Sequence, residues 1–225
     1  MAEIHGVAGE WARVKGTVFG LWPLFLCVFV LGFAVAFGAF VSPIAGGIIV
    51  VVALLAASFA LYRGLGHLER YYKGARGEER VAGILKELPG AYHVFNDFVA
   101  GGGHVDHVVV GPAGVFAVET KFWRGKVTVE DGCILLDGQL PDHSPLAQVL
   151  AEAAAVKATL AKSGWSGTVT PVLTFASDTF DAVIAEVRGA VVINSNHLRE
   201  SFETDRVMIP PAELERLVSL MENKS

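Results

Sequence analysis

The chain has 225 residues, 52% of them hydrophobic, with 18 Lys and Arg against 23 Asp and Glu for a net charge of −5. That length holds one soluble domain with something small beside it. The acidic balance excludes a basic nucleic-acid coat, and two cysteines, Cys27 and Cys133, imply no disulfide framework, in keeping with a reducing compartment.

Residues 1–17 form an N-terminal lead, of which the mixed-charge stretch 1–15 is predicted as an amphipathic helix at a membrane surface. From Gly16 through Tyr62 there is no Asp, Glu, Lys, Arg or His. One membrane span needs roughly 20 apolar residues, so the stretch predicts two, residues 18–41 and 44–62, divided at Ser42-Pro43. Pro23 fits the first turn of the first span. So short a connection makes residues 18–62 an antiparallel hairpin in the lipid bilayer, with both termini on one side. Arg13 and Lys15 precede it, and Arg63, Arg70, Lys73 and Arg76 follow it. Excess Lys and Arg beside spans marks the cytoplasmic side, which places the termini and the soluble part in the cytoplasm. A cleaved signal peptide is the competing reading, but Ala34-Val35-Ala36 lies inside the apolar run and a second span follows at once. The lack of ionisable residues in the spans weighs against an ion pathway. Gly46 and Gly47 suit helix packing or homo-oligomer formation.

Residues 63–73 read as a juxtamembrane linker, and residues 74–225 as the soluble domain. A helix is predicted over 76–88, where Val81, Ile84, Leu85 and Leu88 recur at spacings of three and four before Pro89-Gly90. Strands follow at 92–99, 104–111 and 115–123. Asp131-Gly132 signals a small hairpin between 126–129 and 133–136. Ser144-Pro145 opens a second helix through Lys162, as N-cap and first helical residue. Further strands at 168–175 and 190–193 and helical pieces near 197–202 and 211–222 complete a mixed α/β domain, a central sheet flanked by helices.

The hairpin 104–123 carries the densest chemistry. If Val110 pairs with Val115, Asp106 lies opposite Glu119, and Lys121 shares the Glu119 face. Opposed carboxylates repel, and a divalent cation between them removes the penalty. Oxygen ligands of this kind suit Mg²⁺, and a neighbouring Lys can hold water or meet developing negative charge. The plain alternative is a structural ion pair between Glu119 and Lys121. Glu78, in a first helical turn, is favourable there on dipole grounds alone. Gln148, also in a first turn, reads alone as solvent-exposed. His104 reads as a rim residue, and Trp123, Arg124 and Lys126 as a sheet edge with solvated charges. No Walker or dinucleotide fingerprint occurs.

Together these residues resemble the nuclease-related domain, NERD, a branch of the PD-(D/E)xK nuclease superfamily. The resemblance covers about residues 74–175. It rests on Gly74-x-x-Gly77-Glu78-x-x-Val81, on Val105-Asp106-His107 leading to Gly114-Val115-Phe116, on Val118-Glu119-Thr120-Lys121-x-Trp123-x-Gly125, and on Pro145-Leu146-x-Gln148. It implies a restriction-endonuclease-like core with Asp106 and Glu119 as Mg²⁺ ligands (Mn²⁺ as substitute). Lys121 would act on water and transition state, with Glu78 and Gln148 in support. Val105 stands where the superfamily name has Pro. The implied activity is hydrolysis of phosphodiester bonds, in DNA before RNA. The rival expectation is a non-catalytic, membrane-tethered scaffold using the same face for nucleic acid or protein.

Overall fold

The computed structural model describes residues 1–177, 180, 183–202 and 207–223, apart from the side chains of residues 67 and 70. Its contacts divide the chain into two units, Trp11–Lys73 and a second made of Met1–Glu10 with Gly74–Ser225.

The first unit holds most of helix α1 (Glu10–Phe40) and the first part of helix α2 (Pro43–Lys86). Ser42 caps α2 through its hydroxyl, which accepts from the Ala45 N–H at 3.4 Å, and Pro43 opens it. Both helices are long and apolar enough to cross a membrane, and only 11% of each apolar window is buried. Large side chains such as Phe25, Phe29 and Leu55 point outward. Small residues set the approach of the two helices. A Cβ on Gly64 would lie 2.7 Å from the Gly20 carbonyl oxygen, and one on Gly38 would lie 3.4 Å from the Gly46 Cα. A Cβ on Gly47 would meet nothing within 4 Å.

Two local expectations change. Because α1 begins at Glu10, Pro23 sits inside the helix rather than in its first turn. It costs the helix the backbone bond to Phe19. Residues 63–73 are helical and lie within α2, since no proline interrupts them.

The second unit is a mixed α/β domain. Its main sheet has seven strands in the order β1-β2-β3-β4-β7-β9-β8. These are β1 (Glu3–His5), β2 (His93–Ala100), β3 (Gly103–Gly111), β4 (Gly114–Lys121), β7 (Val169–Phe175), β8 (Ile184–Val187) and β9 (Ala190–Asn194). A separate hairpin, β5 (Val127–Glu130) and β6 (Cys133–Leu136), turns at Asp131 and Gly132, both with positive φ, 49° and 70°. That is the geometry a two-residue Asp-Gly turn supplies. Helices α3 (Pro145–Ala161) and α4 (Pro211–Glu222) complete the unit with a 3₁₀ turn at Ser195–His197.

β4, β7 and β9 run parallel, and β2, β3 and β4 form an antiparallel meander. One core joins Val108, Val110, Val115 and Ala117 to Val156 and Leu160 of α3 and Leu217 of α4. A second joins Val109, Val118 and Val172 to Val81 and Leu85 of α2, and a third joins Leu173, Phe175 and Val192 to Leu146 and Val149 of α3. Coverage of both faces explains why Val108-Val109-Val110 is a continuous apolar run rather than an alternation.

Residues 3–5 do not join an amphipathic helix. They add β1 to the sheet edge, parallel to β2, with Glu3 opposite His93 and His5 opposite Phe95. The Ala2 N–H donates to the Lys86 carbonyl and the Glu3 N–H to the Tyr92 carbonyl, both at 3.0 Å. β8 is the other strand absent from the sequence reading.

Candidate active site

Strand pairing sets the site's frame. Val110 pairs with Val115, and the ladder continues through His107 opposite Val118. There it stops. In place of a backbone carbonyl, the Asp106 Oδ2 accepts the Thr120 N–H at 2.8 Å. The side-chain alternation breaks here as well. Val105 and Val108 both enter the core on the α3 side, and on the adjacent strand Asp97 takes a left-handed φ of 50°. His107 turns into the protein, where its Nδ1 meets the Asn96 Oδ1 at 2.8 Å. Burial lowers its pKa to about 3, so it is a neutral packing residue.

Glu119 is 3% exposed near the end of β4. Its Oε1 accepts from Lys121 Nζ at 2.5 Å, while its Oε2 is buried with no donor among the described residues. Lys121 also donates to Gln148 Oε1 at 2.8 Å. Gln148 reaches this point because Ser144 caps α3, accepting the Ala147 N–H at 3.2 Å, and turns its first coil toward the sheet. The ion pair offered as the plain alternative is therefore present, as one part of a larger cluster.

Glu152, one helical turn beyond Gln148, was not singled out from the sequence. Gln148 Nε2 donates to its Oε1 at 2.8 Å, and its Oε2 is buried without a donor among the described residues. The i, i+4 spacing from Gln148 was the available signal, since such residues share a helix face.

Glu78 is 8% exposed in α2. The close approach of Gly77 to Phe122 (a Cβ there would lie 2.9 Å from the Phe122 Cβ) sets this helix against the end of β4. Burial, then the Asp97 and Glu119 charges, pushes its pKa up to about 7. Burial and the Glu119 charge push Glu152 up to about 8. Burial, with the charges of Glu119 and Glu78, holds Asp106 well above the usual carboxylate range. At Lys121 burial opposes the charge, but Glu119, Asp106 and Glu152 outweigh it and raise the pKa.

The structure thus brings Asp106, Glu119, Lys121 and Gln148 together, with Glu78 within electrostatic reach. His104 is exposed. Trp123 packs against Phe175 at 5.6 Å and its carbonyl accepts from the Ser177 hydroxyl at 2.7 Å, so it serves the core. Arg124 and Lys126 are exposed.

This cluster fits a hard divalent cation. Carboxylates that resist ionisation, together with orphaned buried oxygens on Glu119 and Glu152, have an excess of acceptors that a proton or a cation must meet.

Residues 73–176 match the family model described as the nuclease-related domain, NERD. No curated protein and no solved structure matches the chain.

Proposed function

We propose that this chain, a nuclease-related-domain protein over residues 73–176, is a membrane-anchored, Mg²⁺-dependent nuclease hydrolysing phosphodiester bonds of DNA, with RNA as the second substrate class. The observation that carries the reading is the buried Glu119 carboxylate. One of its oxygens is held by Lys121, the other is buried, and the carboxyls of Glu152 and Asp106 crowd against it.

Asp106 and Glu119 would hold the Mg²⁺, with Mn²⁺ as a substitute. When bound, the ion supplies Lewis-acid charge for the phosphate and a lowered pKa for water. Lys121 contributes a fixed ammonium at the edge of the site, positioned to orient water and to meet charge developing on the phosphate. Gln148 fixes Lys121 from α3, and Glu152 in turn orients the Gln148 amide. Glu78 completes the acidic wall.

Anchoring rests on the two apolar helices and the basic residues flanking them. By the charge rule both termini and the nuclease domain face the cytoplasm.

The test is cleavage of labelled DNA and RNA by the full chain in detergent with Mg²⁺ or Mn²⁺. Lys121→Ala and Asp106→Ala should each lower the rate by about 10²–10³-fold, the scale for losing one positioned electrostatic group, while circular dichroism stays unchanged. Full activity in either folded variant overturns the assignment. A wild-type chain that binds nucleic acid yet cuts neither polymer with either metal supports the scaffold reading.

A further inference from the structure

Away from the acidic cluster, β1 and β2 place three side chains able to bind metal on one face of the sheet edge. Glu3 and His5 are two residues apart in β1, and His93 lies directly across from Glu3. One ligand atom each from Glu3, His5 and His93 lies within 4.8 Å of the others.

Two of the separations come close to those around a small tetrahedral ion. Zinc bonds of about 2.0–2.1 Å place tetrahedral ligands about 3.3–3.4 Å apart. His5 Nε2 lies 3.4 Å from His93 Nδ1. His93 Nδ1 lies 3.6 Å from Glu3 Oε2. The remaining nitrogen of His5, Nδ1, faces Glu222 Oε1 of α4 at 3.6 Å. Such a carboxylate behind a ligating imidazole fixes its tautomer and ring orientation. The His5 ring is further held by stacking on Phe95, centroids 4.3 Å apart with planes 10° apart. The imidazole side chains are largely buried, 15% and 19% exposed, whereas Glu3 is 63% exposed and opens the site to solvent.

A single N–H···N hydrogen bond between the two rings accounts for their contact, at the long end of the range. It leaves unexplained why a carboxylate stands at each end of the imidazole pair. A borderline cation accounts for all four groups, with Glu3, His5 and His93 as donors and Glu222 as the orienting acid.

We infer that Glu3, His5 and His93 form a second metal site, selective for Zn²⁺ over Mg²⁺, which clamps β1 onto β2. Two imidazoles and one carboxylate are a nitrogen-rich donor set suited to zinc, whereas the acidic cluster offers oxygen alone. The site is independent of the nuclease reading.

The test uses the full chain in detergent without a polyhistidine tag, stripped with chelator and dialysed against Zn²⁺ in excess Mg²⁺. An Asp106→Asn, Glu119→Gln background removes the acidic pair from the measurement. That background should retain one Zn²⁺ per chain, and Co²⁺ in its place should give the visible absorption of a four-coordinate ion. Adding His5→Gln or His93→Gln should weaken Zn²⁺ binding at least about tenfold, and Glu3→Gln less, because Glu3 is 63% exposed and water can take its place on the ion. Circular dichroism in chelator checks that each variant still folds. Absence of retained Zn²⁺, or Zn²⁺ binding unchanged by both histidine variants, overturns the inference.

Discussion

Glu78→Gln should make the metal-free protein more stable, and the gain should grow with pH. Glu78 is 8% exposed, and burial with the Asp97 and Glu119 charges raises its pKa from 4.5 to about 7. The folded state therefore holds a proton that the unfolded chain releases between those values. Stability from that proton is fully present below about pH 4.5 and is lost as pH rises through about 7. At about 1.4 kcal/mol per pH unit the loss reaches about 3 kcal/mol by pH 8. A glutamine has nearly the same shape, does not ionise, and its carbonyl can still accept from the Gly9 N–H that now serves Glu78. The assay is thermal unfolding of full-length wild type and variant in detergent with EDTA, from pH 5 to pH 8. The two should melt within about 3 °C of each other near pH 5, and the variant should melt about 6–12 °C higher at pH 8, at about 2–4 °C per kcal/mol for a chain of this size. A constant difference across the range, or a variant that melts lower at pH 8, would refute the electrostatic account of the cluster.

Mg²⁺ at about 100 times its Kd should raise wild-type stability by about 2.7 kcal/mol, with the rise absent in Asp106→Ala; calorimetry with and without the ion reads this directly. Glu152→Gln should lower cleavage less than Lys121→Ala does, because Glu152 acts through Gln148, and a kcat loss equal to that of Lys121→Ala would contradict this. Tyr92→Phe should cost about 1–2 kcal/mol in denaturant melts by stranding the buried Phe202 carbonyl, which the Tyr92 hydroxyl now meets at 2.6 Å, with cleavage unchanged. Gly64→Val should push α1 and α2 apart, since its Cβ alone would lie 2.7 Å from the Gly20 oxygen. Lower yield of a disulfide engineered across the two helices would report it, and an unchanged yield would show that the close approach is dispensable.

The hairpin was legible because local rules dictate it. Gly111 and Gly114 close a two-residue turn at Pro112-Ala113, and that turn fixes Val110 against Val115. The same holds for the Asp131-Gly132 turn and for the Ser144 cap. What stayed hidden depends on partners far apart in sequence. β1 is three residues long, too short to show an alternation, and its partner strand begins at His93. Among the described residues, β8 pairs with β9 alone. Gln148 is exposed, as it read in isolation, but nothing local reveals that Lys121 also reaches it. Glu152 carries no local signal in its alanine-rich helix, because its place depends on that helix face packing near Glu119. The break in alternation near Asp106 has no sequence signature either, because strands default to strict period two and the left-handed Asp97 that accompanies the break carries no distinctive pattern of its own.

The placement of β1 recasts the chain's architecture. Gly9 lies against Ala75, so close that a Cβ on Gly9 would fall 2.8 Å from the Ala75 Cβ. The polypeptide therefore leaves the α/β unit and re-enters it at neighbouring points, and the apolar pair is an insertion within that unit rather than a leader in front of it. A soluble form made by cutting at residue 63 or 74 would discard β1 and bare the backbone donors and acceptors along β2, an edge that invites strand-to-strand aggregation. Excising residues 11–73 and bridging Glu10 to Gly74 with a short flexible link keeps the edge covered, as insertions whose ends meet permit.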